Sequence, residues 1–300
     1  MQEHRNFLNF LLSSTSLAEA TIRRRVKIIN SLNKHVDLFC KDDVVKYLNT
    51  CSWSNGTKNI AVLAYKDFRR MYGLPELKIR KYHVTQKLPF VPLETELDSL
   101  ISGSSLWLSS FLRVLKETGM RPIEAWSLKR GDFDITQKTV NIRTVKRGKP
   151  RILRVSDRLL NMLGAFPKTG DIVFSVSGNP NRFSIELKHF KRNYTNVRKR
   201  LGDKLKNPRL LRISFYTFRH WKATTEYLRT RDIFHVKNML GHSRIENTMK
   251  YVHVANAVSV EDTRFACKVA HNINEAKMLV EEGFEYVTEI DGIKLFRKPK

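Results

Sequence analysis

The sequence is poor in cysteine, in acidic residues and in long apolar runs, and each shortage removes a class of protein. Its three cysteines, Cys40, Cys51 and Cys267, are odd in number and far apart. That excludes a disulfide framework and lacks the paired spacing of a zinc site, so reduced, buried structural thiols in a cytosolic setting are expected. No stretch approaches the roughly 18 to 20 apolar residues of a membrane span. The opening MQEHRNFLNFLLSSTS has too short an apolar segment, behind Glu3, to read as a secretory leader. There is no Gly-x4-Gly-Lys-Ser/Thr loop, so chemistry driven by ATP is not expected. His189, His235 and His253 have no acidic or cysteine partners at ligand spacing. Neither a metal nor another cofactor is expected.

What is present is positive charge. Fifty-five Lys and Arg stand against 29 Asp and Glu, a formal net charge of +26 over 300 residues. A chain so charged repels itself unless it works beside a polyanion; nucleic acid is the first candidate and an anionic membrane surface the second. Residues 1–90 carry 16 basic and 7 acidic side chains, residues 91–258 carry 32 and 14, and residues 259–300 carry 7 and 8. Two adjacent basic segments suit a clamp on duplex DNA, with no membrane partner. The near-neutral tail has no electrostatic reason to touch DNA and suits contact with protein.

The pattern of elements predicts a mainly α protein with a small antiparallel β-sheet. Ser16 followed by Glu19 forms a capping-box pattern ahead of Ile22, Val26, Ile29, Leu32 and Val36 at helical spacing. Further helices are expected at 41–50 and 57–72, giving a helical N-terminal domain over 1–82. A basic, proline-containing linker follows at 83–91. In a mixed α/β domain over 92–258, helices are expected in LETELDSLISG and SSLWLSSFLRVLKETG, with a hairpin from 139–145 and 150–156. The helix at 185–201 sets Phe190, Tyr194, Val197 and Leu201 on one face. From Arg182 to Arg212 eleven basic residues meet only Glu186 and Asp203. Lys188, Lys191, Arg192, Arg198, Lys199 and Arg200 on this helix, with Arg147 and Lys149 at the hairpin tip, are therefore candidate DNA contacts. A tail at 259–300 combines a helix in NINEAKMLVEEG with a hairpin around Asp291-Gly292, too small to stand alone and expected to dock on its own chain or a neighbour's.

Cleaving a phosphodiester without a metal requires fixed positive charge on the non-bridging oxygens, a proton for the departing oxygen and an in-line nucleophile. Arginine suits the first task because its planar fork grips oxygens bidentately and stays charged. Tyrosine can attack, but with an ordinary pKa of about 10 it needs activation by nearby cations. Four blocks carry such residues: TGMRPIEAWSLKRGDFD (118–134), TVKRGKPRILRV (144–155), YTFRHWKATT (216–225) and LGHSRIENTMKYVHV (240–254). In this order, and with Tyr251 nine positions after His242, they resemble the signature blocks of the tyrosine recombinases, the family of phage integrases and Xer proteins. The N-terminal segment resembles that family's helical core-binding domain more loosely.

The resemblance implies a tyrosine-recombinase catalytic domain in which Arg121 and Arg219 clamp the scissile phosphate. Lys146, with Lys149 on the same crowded tip as the alternative, would protonate the leaving 5′ oxygen, His242 would bond a non-bridging oxygen, and Tyr251 would attack to leave a 3′-phosphotyrosyl link. Glu124 would orient the clamp. Where the family usually has histidine, three residues before the second arginine, this chain has Tyr216, a poor base. That departure resembles archaeal integrases. His220, next to Arg219, is expected to point elsewhere and be structural; Tyr194 and Tyr227 are expected in core or groove positions. The resemblance further implies double-stranded DNA as partner, a homo-tetramer on two duplexes with a monomer as the DNA-free alternative, a cytoplasmic, nucleoid-associated setting, and a prokaryotic or archaeal mobile element. Two other readings stay open: a type IB topoisomerase-like relaxing enzyme, and a catalytically silent DNA-binding protein of the same fold.

Overall fold

The computed structural model describes residues 2–76, 78–85, 87–144, 148–166, 170–175, 177, 179, 182–259, 265–290 and 292–299. The chain divides into two compact units, Met1–Lys87 and Leu88–Lys300. No helix among the described residues is long and apolar enough to cross a membrane.

The first unit is helical: α1 (Gln2–Ser14), α2 (Glu19–Leu32), α3 (Lys41–Thr50) and α4 (Asn55–Met71). Its core gathers Phe7, Leu11, Ile22, Ile29, Leu32, Leu48, Tyr65 and Phe68, and Arg25 of α2 makes a part-buried pair with Asp67 of α4. Ser16 does not cap α2. Ala18 holds the cap position without a side-chain bond, and Glu19 instead reaches Arg23 one turn on, at 2.5 Å, a geometry the i,i+4 spacing also permits. Helix α4 starts two residues before the expected position because Ser54 accepts a bond from the Thr57 N–H.

The second unit opens with α5 (Glu94–Ser102), α6 (Leu106–Thr118) and the short α7 (Pro122–Trp126), followed by strands β1 (Phe133–Asp134), β2 (Thr139–Ile142) and β3 (Arg151–Arg154). These pair antiparallel in that order, with Val140 opposite Leu153 and Ile142 opposite Arg151. Then come α8 (Asp157–Gly164), α9 (Phe183–Lys204), α10 (Phe215–Thr230), α11 (Ile233–Leu240) and α12 (Glu246–Ser259). Phe111 of α6 meets the rings of Trp126, Phe174, Phe190 and Phe215 at centroid separations of 5.0 to 6.1 Å. Burying each such side chain contributes on the order of 1.5–3 kcal/mol. This cluster fixes α6, α7, α9 and the start of α10 against one another. The four expected apolar positions of α9 are buried, and Tyr194 donates its hydroxyl to Ile213 O at 2.8 Å.

The tail forms a second three-stranded sheet from β4 (Phe265–Ala270), β5 (Glu285–Ile290) and β6 (Ile293–Pro299), in the order β4-β6-β5. Helix α13 (Ile273–Glu281) adds Leu279 to a small core with Ala270, Phe284 and Phe296. The expected helix and hairpin are therefore joined by a third strand. Among the described side chains of β4, at 266–270, Ala270 alone is buried, while Val269 stands 49 % exposed, so this stretch lacks the two-residue period that reveals strands in sequence. Asp291 lies outside the described residues. The cysteines are not buried: Cys40 and Cys51 are half-buried and Cys267 is exposed.

Candidate active site

Arg219 lies in the second turn of α10, buried at 3 % exposure. Two helices end against it. Helix α6 stops at Gly119 with φ +60° and α11 stops at Gly241 with φ +65°, both left-handed caps suited to glycine. The guanidinium donates through Nη1 to Gly119 O and through Nη2 to Leu240 O, each at 2.8 Å. Helix C-termini carry partial negative charge, which favours a cation there. Even so, burial and then the charge of Arg121 lower its pKa to about 10, so it remains protonated at neutral pH.

Arg121 follows Gly119 after one residue and holds the cap position of α7, with Pro122 in the first turn. Glu124, one turn on, accepts from the Arg121 N–H at 2.9 Å and from its Nη1 at 2.7 Å. The same carboxylate accepts from Arg151 Nη2 at 2.8 Å. Burial pushes Glu124 up, but the hydrogen bonds from Arg151 and Arg121 outweigh it and hold the carboxyl below its ordinary range. Glu124 therefore stays ionised and fixes two arginines.

In the sequence Arg151 is only one of several cations at the hairpin. It begins β3 opposite Ile142 and takes the inward phase of the strand, with Ile152 turned out at 67 % exposure. The Glu124 carboxylate makes that inversion tolerable. Its Nε and Nη1 are buried without a hydrogen-bond partner. Two glycines let the hairpin close on the site. A Cβ on Gly148 would lie 3.1 Å from Arg121 Nη1, and one on Gly241 would lie 2.8 Å from both Lys149 O and Arg151 Nη1.

His242 follows Gly241 and is buried. Its Nε2 is 2.9 Å from Arg219 Nη2 and its Nδ1 is 2.9 Å from Thr248 Oγ1. An arginine can only donate, so Nε2 accepts and the ring proton sits on Nδ1, facing the threonine. Burial, then Arg219 and Arg121, lower His242 to about 3, and the ring is neutral. Tyr251, on α12, is 1 % exposed. Burial raises its pKa, against the opposing charges of Arg219 and Arg121. Lys250 Nζ lies 5.0 Å from the ring centroid, with its own pKa lowered by burial and by Arg219.

His220 is where expectation and structure part. Instead of pointing away, its Nδ1 is 3.1 Å from Tyr251 Oη. Tyr216, at the position of the usual histidine, is 50 % exposed. The signal for His220 was its i+4 spacing from Tyr216, which puts both on one face of α10. Thus Arg121, Glu124, Arg219, His242 and Tyr251, from three of the four blocks, come together, and Arg151, Thr248, Lys250 and His220 join them. Lys146 and Arg147 lie outside the described residues.

Among the candidate DNA contacts, Lys149, Lys188, Lys191, Arg192 and Lys199 are exposed. Arg198 is engaged with its own chain: Nη1 donates to Leu211 O and Ile213 O at 2.8 and 3.1 Å, and the guanidinium sits 5.0 Å from the Tyr194 ring centroid. Arg200 donates to Gly103 O at 2.8 Å. These two tie α9 to neighbouring backbone.

Residues 93–257 match the model of the phage integrase family. The chain is 29 % identical over 155 residues to the "Probable integrase/recombinase" of Acholeplasma phage L2, covering 50 % of each chain; it thus spans about half the length of that relative. It is 25 % identical over 226 residues to the tyrosine recombinase XerA of Thermococcus onnurineus (strain NA1), covering 74 % of this chain and 77 % of that one. Its fold is similar to that of a lambda integrase tetramer bound to a Holliday junction, with a TM-score of 0.63 at 12 % identity, covering 83 % of this chain and 76 % of that one.

Proposed function

The chain belongs to the phage integrase family, and from that premise we propose that it is a site-specific DNA recombinase that cuts and rejoins strands through a 3′-phosphotyrosyl intermediate at Tyr251. Arg121 and Arg219 grip the non-bridging oxygens of the scissile phosphate, where charge grows as the phosphorus becomes five-coordinate. Glu124 holds Arg121 in place, and Arg151 anchors the Glu124 carboxylate. Thr248 can either accept from or donate to His242 Nδ1, so the imidazole can shift its proton to Nε2 and give it to a phosphate oxygen when DNA displaces the Arg219 contact. Tyr251 attacks, and the 5′ oxygen departs with a proton from Lys146. The phosphotyrosyl bond keeps the energy of the phosphodiester, so a 5′ hydroxyl can reverse the step without ATP.

The observation that carries this reading is the meeting of the half-buried Arg121, the buried Arg219, His242 and the Tyr251 phenol around one locus, from blocks about 130 residues apart. The exposed cations of α9 suit the DNA backbone. Assembly as a tetramer on two duplexes, with residues 259–300 contacting a neighbouring protomer, completes the proposal; Tyr216 and the similarity to XerA favour an archaeal-type member. A nicked suicide duplex bearing the sequence selected by the protein from random DNA tests it. Wild type should form a covalent adduct that Tyr251→Phe does not. Adduct formation undiminished in Tyr251→Phe would overturn the proposal.

A further inference from the structure

We infer that His220 Nδ1 receives the Tyr251 proton as the phenol attacks DNA, taking over the work that a histidine at position 216 would do. The inference rests on the reading of Tyr251 as nucleophile and concerns how that nucleophile is activated.

Three observations converge. First, attack requires the phenol to lose a proton, and burial makes that loss harder than in water. Second, His220 is the one neutral nitrogen base hydrogen-bonded to Tyr251 Oη among the described residues, at 3.1 Å, within the range for proton transfer. Third, Tyr216 is half exposed and has no side-chain hydrogen bond among the described residues, so it holds neither the phenol nor its proton. His220 stands one helical turn after Tyr216 on α10, on the same face of the helix.

The charges facing His220 are Lys250, beside Tyr251 on α12, and Arg219 on its own helix. Burial and then these two cations lower its pKa to about 4, so the ring is uncharged and able to accept at neutral pH. A ring so weakly basic does not ionise the resting phenol. It need not, because the phenolic O–H becomes strongly acidic only as the O–P bond forms. The entering phosphodiester also brings a negative charge that raises the affinity of His220 for a proton.

Atoms and charges balance in the step. Tyr251 Oη bonds to phosphorus, the P–O5′ bond breaks, the phenolic proton passes to His220 Nδ1, and the 5′ oxygen takes a proton from Lys146. In rejoining, both protons return.

The resting geometry is tested without DNA. By 15N NMR at pH 7, His220 Nδ1 should be the unprotonated, hydrogen-bonded nitrogen, and its shift should change in Tyr251→Phe. A protonated Nδ1 would make the ring a donor and overturn the inference. The step is tested by adduct formation on the suicide duplex. His220→Ala should slow cleavage by about 10²-fold or more, the usual range for a general base, with DNA affinity unchanged, and added imidazole should restore a large part of the rate. His220→Asn keeps a hydrogen-bonding group near the Nδ1 position but cannot take a proton, so it should be as slow as His220→Ala. Wild-type rates in both variants, or a loss that imidazole does not rescue and His220→Asn repairs, would overturn proton transfer and leave a positioning role only. Tyr251→Phe in the same assay separates this failure from failure of the nucleophile assignment.

Discussion

Removing the Glu124 carboxylate should cost more than removing any exposed charge on the molecule. The carboxylate is fully buried as a side chain and holds Arg121 at 2.7 Å and Arg151, itself 6 % exposed, at 2.8 Å. Glu124→Ala leaves two guanidinium groups facing each other with no counter-charge, one of them unable to reach water. Breaking a buried pair from one side costs about 3–5 kcal/mol. Glu124→Gln keeps the shape and one acceptor but turns an amide N–H₂ towards an arginine, so it should lose about 1.5–3 kcal/mol, the worth of a charge-assisted bond. Either is a large share of the roughly 5–15 kcal/mol typical of a domain. Trp107, Trp126 and Trp221 all lie in the second unit and Trp53 alone in the first. Urea denaturation followed by tryptophan fluorescence in a Trp53→Phe background therefore reports the second unit. The pH sign follows from the lowered Glu124 pKa: its contribution is full above the unfolded carboxyl value and fades as pH falls through the folded one. Wild type should lose this stability in acid, and Glu124→Gln should not show that component. Both variants within about 0.5 kcal/mol of wild type at pH 7, the scatter of ordinary surface changes, would refute the reasoning.

Gly241→Ala should destabilise the second unit by about 1–3 kcal/mol, because φ is +65° and the new Cβ meets Lys149 O at 2.8 Å; a melting scan checks this. His220 and His242 have folded pKa values of about 4 and about 3, below the ordinary 6.5. The unfolded chain therefore binds more protons in acid, and the stability they permit at neutral pH should fall from about pH 6.5 downward; His242→Asn should flatten that limb in pH-dependent denaturation. Neutralising Lys188, Lys191 or Arg192 singly should each reduce the slope of log K against log salt by up to about 0.9 for every DNA phosphate that the variant no longer neutralises, whereas Arg198→Gln should mainly lower the melting temperature. Deleting 265–300 should leave binding to one half-site intact and reduce cooperative assembly in gel-shift titrations; unchanged recombination would reject the proposed role of the tail.

The local structure around Arg121 was legible because glycine, arginine and glutamate at fixed offsets dictate it: Gly119 ends a helix, Arg121 caps the next, and Glu124 returns one turn later. The apolar stripe of α9 was legible for the same reason, a 3.6-residue period. What sequence concealed depends on a partner distant in the chain. Arg151 reads as one more cation in a basic hairpin until Glu124, 27 positions away, turns it inward. His220 reads as a neighbour of Arg219 until α12 brings Tyr251 against it. Arg198 and Arg200 belong to a basic run that composition assigns to DNA, yet backbone carbonyls engage them. Ser16 and Glu19 fit a capping box as well as an i,i+4 ion pair, and the pair with Arg23 prevailed.

Whether Tyr251 is the nucleophile is read directly by peptide mass spectrometry of the protein trapped on a suicide duplex, after nuclease and protease digestion. The expected product is a nucleotide joined through its 3′ phosphate to Tyr251 in the peptide from α12. A nucleotide on any other side chain, or cleaved DNA with no nucleotide on the protein, would contradict the phosphotyrosyl mechanism.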